Sequence, residues 1–134
     1  MSTITVFDNE QAALWLHPES GIVHHKSKTR DISSADFRNV LNQGCDLMKK
    51  NGATKWLGDD RAHSALSPED AAWAADDWRP RVMAVGWKYW AIVLPQNVIG
   101  HMNMKQFIDD AAKDGVNARV FADPGQALAW LESV

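Results

Sequence analysis

Between Thr3 and Ser27 the chain runs in short apolar stretches broken by turn-forming residues. "TITVF" (Thr3–Phe7), "AALWLH" (Ala12–His17) and "IVHHKS" (Ile22–Ser27) are rich in β-branched, aromatic and aliphatic side chains. "DNE" and "PESG" between them are turn signals, and connections this short pair strands antiparallel. The period then lengthens. Phe37, Val40, Leu41, Gly44, Leu47 and Met48 recur at helical spacing. Ser33 as N-cap, with Asp36 three residues on, starts that helix; Lys49 and Lys50 suit its negative end, and Asn51-Gly52 stops it. Gly44 in the apolar stripe permits a close approach to a sheet.

"ATKWLGD" predicts the next strand, and Ser67-Pro68-Glu69-Asp70 opens the next helix: a capping serine, proline at the first helical position, acids in the first turn. One helix is expected to reach Val85-Gly86, kinked where Pro80 removes the backbone bond to the carbonyl of Asp76. Ala71, Ala75, Trp78, Val82 and Val85 form its sheet-facing stripe, and Trp73, about 200° around from Ala71, points away from it. "WKYWAIVLP" (Trp87–Pro95) lacks alternation and reads as a strand buried on both faces. Asn103 caps a further helix, "NARVFA" is the last strand, and Asp123-Pro124-Gly125-Gln126 opens the last helix. The order βββ-α-β-α-β-α-β-α predicts one α/β domain over residues 1–134. Its mixed sheet combines an N-terminal antiparallel meander with parallel strands, and four helices cover it.

Composition narrows the class. The 134 residues carry a formal charge of -3, so no excess of Lys and Arg exists to neutralise nucleic-acid phosphates or anionic lipid. "KSKTR" (Lys26–Arg30) is the one basic cluster and reads as a solvated loop. The single cysteine, Cys45, cannot form an internal disulfide, which fits a reducing cytoplasm, and its place beside the helical stripe makes it a small buried hydrophobe. The N-terminus has no signal-peptide pattern, and no apolar run approaches the roughly 18–20 residues that span a bilayer. A whole cytoplasmic protein without membrane insertion, nucleic-acid partner or cofactor is the expectation.

The segment "KWLGDDRAHSALSPEDAAWAADDWRPRVMAVGWKYWAIVLP", followed by "VFADPGQALAWL", resembles the SpoIIAA-like branch of the STAS family. More narrowly, it is similar to small stand-alone bacterial proteins described as STAS/SEC14 domain-containing. The points of likeness are "KWL-x-D", "SPED" with a tryptophan three residues on, "DDWRPR", the strand ending in Leu-Pro, and the closing aromatic-x-Asp before "AL-x-WL". The resemblance implies an α/β fold and protein–protein or small-ligand binding rather than catalysis. Family antagonists are switched by a phosphorylated serine in an Asp-Ser-Ser-Gly-like loop. The corresponding "GDDRAHSALS" lacks that motif, so no serine here inherits that role.

Candidate chemistry is sparse. Asp59 and Asp60 follow a strand, where an acidic pair can hold Mg²⁺ or accept a phosphoryl group; otherwise one organises the turn and the other is solvated. His63 and Ser64 are adjacent and lack the flanking glycines of a nucleophile elbow. His24 and His25 point to opposite faces of a strand and cannot share one ion, His17 and His101 add no recognisable spacing, and no metal site is expected. Seven tryptophans are unusual at this length. Trp73 and Asp77 on the outer side of the second helix, with Trp87 near, suit a homodimer face. Met102 and Met104, with Val98 and Ile99, suit an apolar pocket or lid. The leading expectation is a non-enzymatic interaction or regulatory module, a homodimer. The alternative is a binder of a small apolar ligand or lipid through the Met-rich segment 98–107. The third is a phosphoacceptor or metal-dependent enzyme at the Asp59/Asp60 loop.

Overall fold

A computed structural model describes residues 3–62 and 66–134. The chain opens with strands β1 (Ile4–Asp8), β2 (Ala12–His17) and β3 (Ile22–Ser27), then helix α1 (Ser34–Asn51) and strand β4 (Lys55–Asp59). Helix α2 (Pro68–Trp73) runs through a π-helical turn (Ala74–Trp78) into α3 (Arg79–Ala84). Strand β5 (Tyr89–Val93), helices α4 (Gln96–Gly100) and α5 (Met104–Lys113), strand β6 (Asn117–Phe121) and helix α6 (Pro124–Ser133) follow. The sheet order is β1-β2-β3-β4-β5-β6; the first two pairings are antiparallel and the last three parallel. The mixed sheet is the one expected.

The helix starts follow the capping chemistry. Ser33 Oγ accepts from the backbone N–H of Asp36, Ser67 Oγ from that of Asp70, and Asn103 and Asp123 cap α5 and α6 in the same way. Gly52 ends α1 in the left-handed conformation, its N–H returning to the Met48 carbonyl. Two helix expectations need correction. Residues 96–100, expected as loop, form α4, so five helical rods rather than four appear among the described residues. The second helix is not a plain α-helix kinked at Pro80. A π turn precedes the proline, and the wider turn gives the ring room beside the carbonyls it would otherwise strike.

Parallel strands that step one place at a time through crossovers of one hand put their helices on one face of the sheet. The core is divided accordingly. On one face Leu14, Leu16, Val23 and Trp56 pack with Leu41 and Met48 of α1, Trp78 and Val82 of the second rod, and Ala111 of α5. On the other, Ile22, Leu57, Ala91 and Val93 meet Ala127 and Leu131 of α6. The tryptophans account for much of the first cluster. Trp56, Trp78, Trp87 and Trp90 stand in a chain of ring contacts with centroids 5.4–5.6 Å apart, continued to Phe107 at 5.1 Å. Tilted and edge-on pairs of this kind are favoured by the ring quadrupole. Cys45 is buried beside them, as expected.

Candidate functional site

The expected stripe of the second rod does face inward, but only its C-terminal half packs down. Trp78 and Val82 are buried, whereas Ala71, Ala74 and Ala75 line a cavity of about 720 Å³. Its floor is the C-terminal part of the parallel strands, where ligands commonly sit in open α/β sheets. The strand side supplies Trp56, Trp90, Ile92 and Leu94; Phe37 and Leu41 come from α1, and Val98 from α4. This placement also corrects the reading of β5 as buried on both faces. Ala91 and Val93 are buried under α6, but Trp90 and Ile92 are only half-buried because the cavity opens over them.

One end of this apolar space is polar. Strand β3 lies parallel to β4, with His25 opposite Gly58 and Lys26 opposite Asp59. That register brings His25 and Ser27 alongside the chain as it leaves β4 at Asp60. Trp56 Nε1 lies 2.8 Å from His25 Nδ1, and His25 Nε2 lies 2.8 Å from Asp60 Oδ1. Ser27 Oγ is 3.1 Å from the same carboxylate oxygen. The indole N–H can only donate, so Nδ1 of His25 is bare and the ring proton sits on Nε2, directed at Asp60. Two glycines make room for this arrangement. A Cβ on Gly58 would stand 2.8 Å from His25 Cε1, and one on Gly44 would stand 2.1 Å from the Trp56 ring. Gly44 thus gives the close approach expected of it, to a side chain of the sheet.

Asp70, 6% exposed, ties the cavity's helices together. It accepts from Ser34 Oγ at 2.7 Å and Arg38 Nε at 3.2 Å across to α1. The Ser34 hydroxyl first, then Arg38 and Ser67, hold its carboxyl below the usual aspartate range. Trp78 Nε1 donates to the Leu41 carbonyl at 2.7 Å, a second tie to α1. Arg79 forms an ion pair with Asp114 at 2.8 Å, while its Nε, with essentially no accessible surface, has no partner among the described residues.

The sequence candidates distribute unevenly over this geometry. Asp59 and Asp60 do not act as a pair. Asp59 is buried and bound by both its oxygens to Arg61, at 2.9 and 2.8 Å, whereas Asp60 turns to His25 and Ser27. His63 and Ser64 lie outside the described residues. Trp73 packs edge-on against Phe37 at 6.2 Å and lies between the guanidinium groups of Arg38 and Arg81, at 5.0 and 5.9 Å. Asp77 is exposed and pairs with Arg81 one turn on. Trp87 is buried in the cavity wall, its N–H on the Tyr89 carbonyl. Met102 and Met104 are half-buried and do not line the cavity; of the Met-rich segment only Val98 does.

His17 and His24 come together across β2 and β3, with Nε2 and Nδ1 3.0 Å apart, although the sequence spacing suggested no link. Among the described residues no three His, Cys, Asp or Glu side chains gather as a metal site. Ser27 was missed as a candidate, and His25 was weighed only as a metal ligand. The available signal was their spacing of two, which puts both on one face of a strand.

Fold and site together define a class: a mixed-sheet α/β domain with an apolar cavity over its parallel strand ends and a polar cluster at one end of that cavity. Comparison with protein-family models, with curated proteins and with solved structures found no match for this chain.

Proposed function

We propose that the chain binds a small, largely apolar molecule in the cavity between the second helical rod and the sheet. The observation that carries this reading is the cavity itself. Its roughly 720 Å³ lies within the range of small-molecule sites, and its walls are mostly aromatic and aliphatic with few polar groups. The reading takes up the alternative drawn from the sequence but moves the pocket from the Met-rich segment to the face under Ala71, Ala74 and Ala75. The resemblance to the SpoIIAA-like branch carries the same expectation of binding rather than catalysis. The cavity supports binding more directly than the outer face of the second rod supports a homodimer, because the Trp73 ring is already engaged by Phe37, Arg38 and Arg81 of its own chain.

A titration with the neutral apolar dye Nile red tests the reading. Saturable binding at one site is expected for the wild-type chain, with loss of at least about tenfold in affinity for Ala74→Phe, which places a ring in the cavity. No saturable binding, or binding that Ala74→Phe leaves unchanged, would refute it. Native mass spectrometry of the protein from its own cell extract would then report any retained molecule.

A further inference from the structure

Resting on that reading, one residue of the lining specifies a charge for the ligand. We infer that the cavity takes an apolar carboxylic acid in its ionised form, with Arg79 as the group that holds the carboxylate. Arg79 is the only Arg or Lys among the described residues that line the space. It stands there incompletely satisfied. One Nη donates to Asp114 at 2.8 Å, while Nε, with essentially no accessible surface, has no partner among the described residues. A guanidinium presents its N–H donors in a planar fork, stays charged at any ordinary pH, and matches the two oxygens of a carboxylate. A buried N–H left unpaired is costly, and more so on a charged group.

The present partner holds the guanidinium loosely. The Arg79 and Asp114 side chains are 34% and 45% exposed, and ion pairs that water reaches contribute little. The guanidinium therefore turns at small cost, and turning is what Nε needs to meet an acceptor. A ligand carboxylate in the cavity supplies one. It can take Nε and an Nη together, beside indole and phenyl rings, where opposite charges attract more strongly than in water. The carboxylate of the lining itself stands elsewhere. The backbone N–H of Asp60 bonds the carbonyl of Val93, the last residue of β5, whereas the N–H of Asn117, three residues after Asp114, bonds that of Lys88, just before β5 begins. Asp60 and the Asp114 partner of Arg79 therefore lie at opposite ends of β5, about 13 Å apart along the strand. A carboxylate held at Arg79 leaves the ligand's apolar body to fill the ring-lined space between them.

Displacement of bound Nile red by 4-butylbenzoate, its methyl ester and butylbenzene isolates the charge. In an apolar cavity without a cation the benzoate would bind weakest, since its charge must leave water. With Arg79 present it is expected to bind at least about tenfold tighter than the ester. Arg79→Gln is expected to abolish that preference, weakening the benzoate at least about tenfold and the ester by less than about threefold. Asp114→Asn, a change at a half-exposed carboxylate, frees the guanidinium and is expected to tighten the benzoate about two- to fivefold and leave the ester unchanged. A benzoate no tighter than the ester on the wild-type chain would overturn the inference and leave the cavity reading standing. So would a benzoate preference that survives Arg79→Gln or, should that variant not fold, benzoate binding that Asp114→Asn leaves unchanged or weakens. If Nile red binds but the benzoate does not displace it, the inference fails at this site. If Nile red itself does not bind, the cavity reading and the inference fall together.

Discussion

Replacing Gly44 by alanine tests the geometry on which the polar cluster rests. In the middle of a helix this change ordinarily stabilises, by about 0.8–1 kcal/mol, because glycine has the more flexible unfolded chain. Here the new methyl would meet Trp56 Cη2 at 2.1 Å, Cζ3 at 2.6 Å and Cζ2 at 2.9 Å. The ring is 2% exposed, fixed by its hydrogen bond to His25 and by the edge-on Trp78 ring 5.5 Å away. It cannot turn aside without leaving the indole N–H and His25 Nδ1 unsatisfied, at about 1–3 kcal/mol, on top of about 1–3 kcal/mol of overpacking. The net expectation for Gly44→Ala is destabilisation by about 2–4 kcal/mol, read from urea unfolding followed by circular dichroism. In a chain of this length that lowers the melting temperature by roughly 6–16 °C. Trp56→Phe removes the atoms that clash, so in that background Gly44→Ala is expected to cost at least about 1.5 kcal/mol less. Gly100→Ala, whose methyl meets nothing within 4 Å, serves as the control. A Gly44→Ala protein as stable as the wild type, or more so, would refute the claim that Trp56 is wedged against α1.

Two further outcomes follow from the buried titratable groups. Burial first, then the nearby His17 and His25, pushes the His24 pKa down to about 4. The unfolded chain therefore binds a proton near pH 6.5 that the folded chain refuses. Stability from this site is complete above that pH and is lost as the pH falls towards 4, by about 3 kcal/mol in all. His24→Gln should flatten that limb of a stability–pH curve, and an unchanged slope would remove His24 as its source. Burial also pushes the Cys45 thiol up, so labelling by a disulfide reagent at pH 8 should be slow in buffer and fast in denaturing urea; fast labelling of the folded chain would contradict the packing of α1 on the sheet.

The parts of this molecule that were legible in the sequence are those set by near neighbours. The capping serines, Gly52 and the two periodicities gave the element order and the mixed sheet, because each depends on residues within a turn or a strand. The cavity's polar end depends on the pairing of β3 with β4, and a parallel register spanning a whole crossover helix leaves no local trace. Knowing only that Asp60 follows a strand, one looks to later strand ends for side chains to meet its carboxylate; His25 and Ser27, which do meet it, stand on the earlier strand. The same limitation explains Trp73. Helical geometry correctly turned it from Ala71, but what waits there, Phe37 and Arg38, belongs to α1. The π turn was hidden for a different reason, since proline signals an interrupted helix without stating which way the backbone yields.

The cavity itself follows a gradient of side-chain size along one helical stripe. Trp78 and Val82 are large enough to reach the sheet and hold the rod's C-terminal half down, while the alanines at 71, 74 and 75 leave their half standing off it. The ties at its N-terminus, Asp70 to Ser34 and Arg38, fix that stand-off instead of letting the rod collapse. Filling the space should then add packing without forcing neighbours apart, and cavity-filling changes commonly contribute about 0.5–2 kcal/mol. Ala74→Phe is therefore expected to be at least as stable as the wild type towards urea while it loses the dye, which would separate the opening from mere structural weakness. A destabilised Ala74→Phe would instead mean that the roof already touches the floor at that point, and the gradient argument would fail with it.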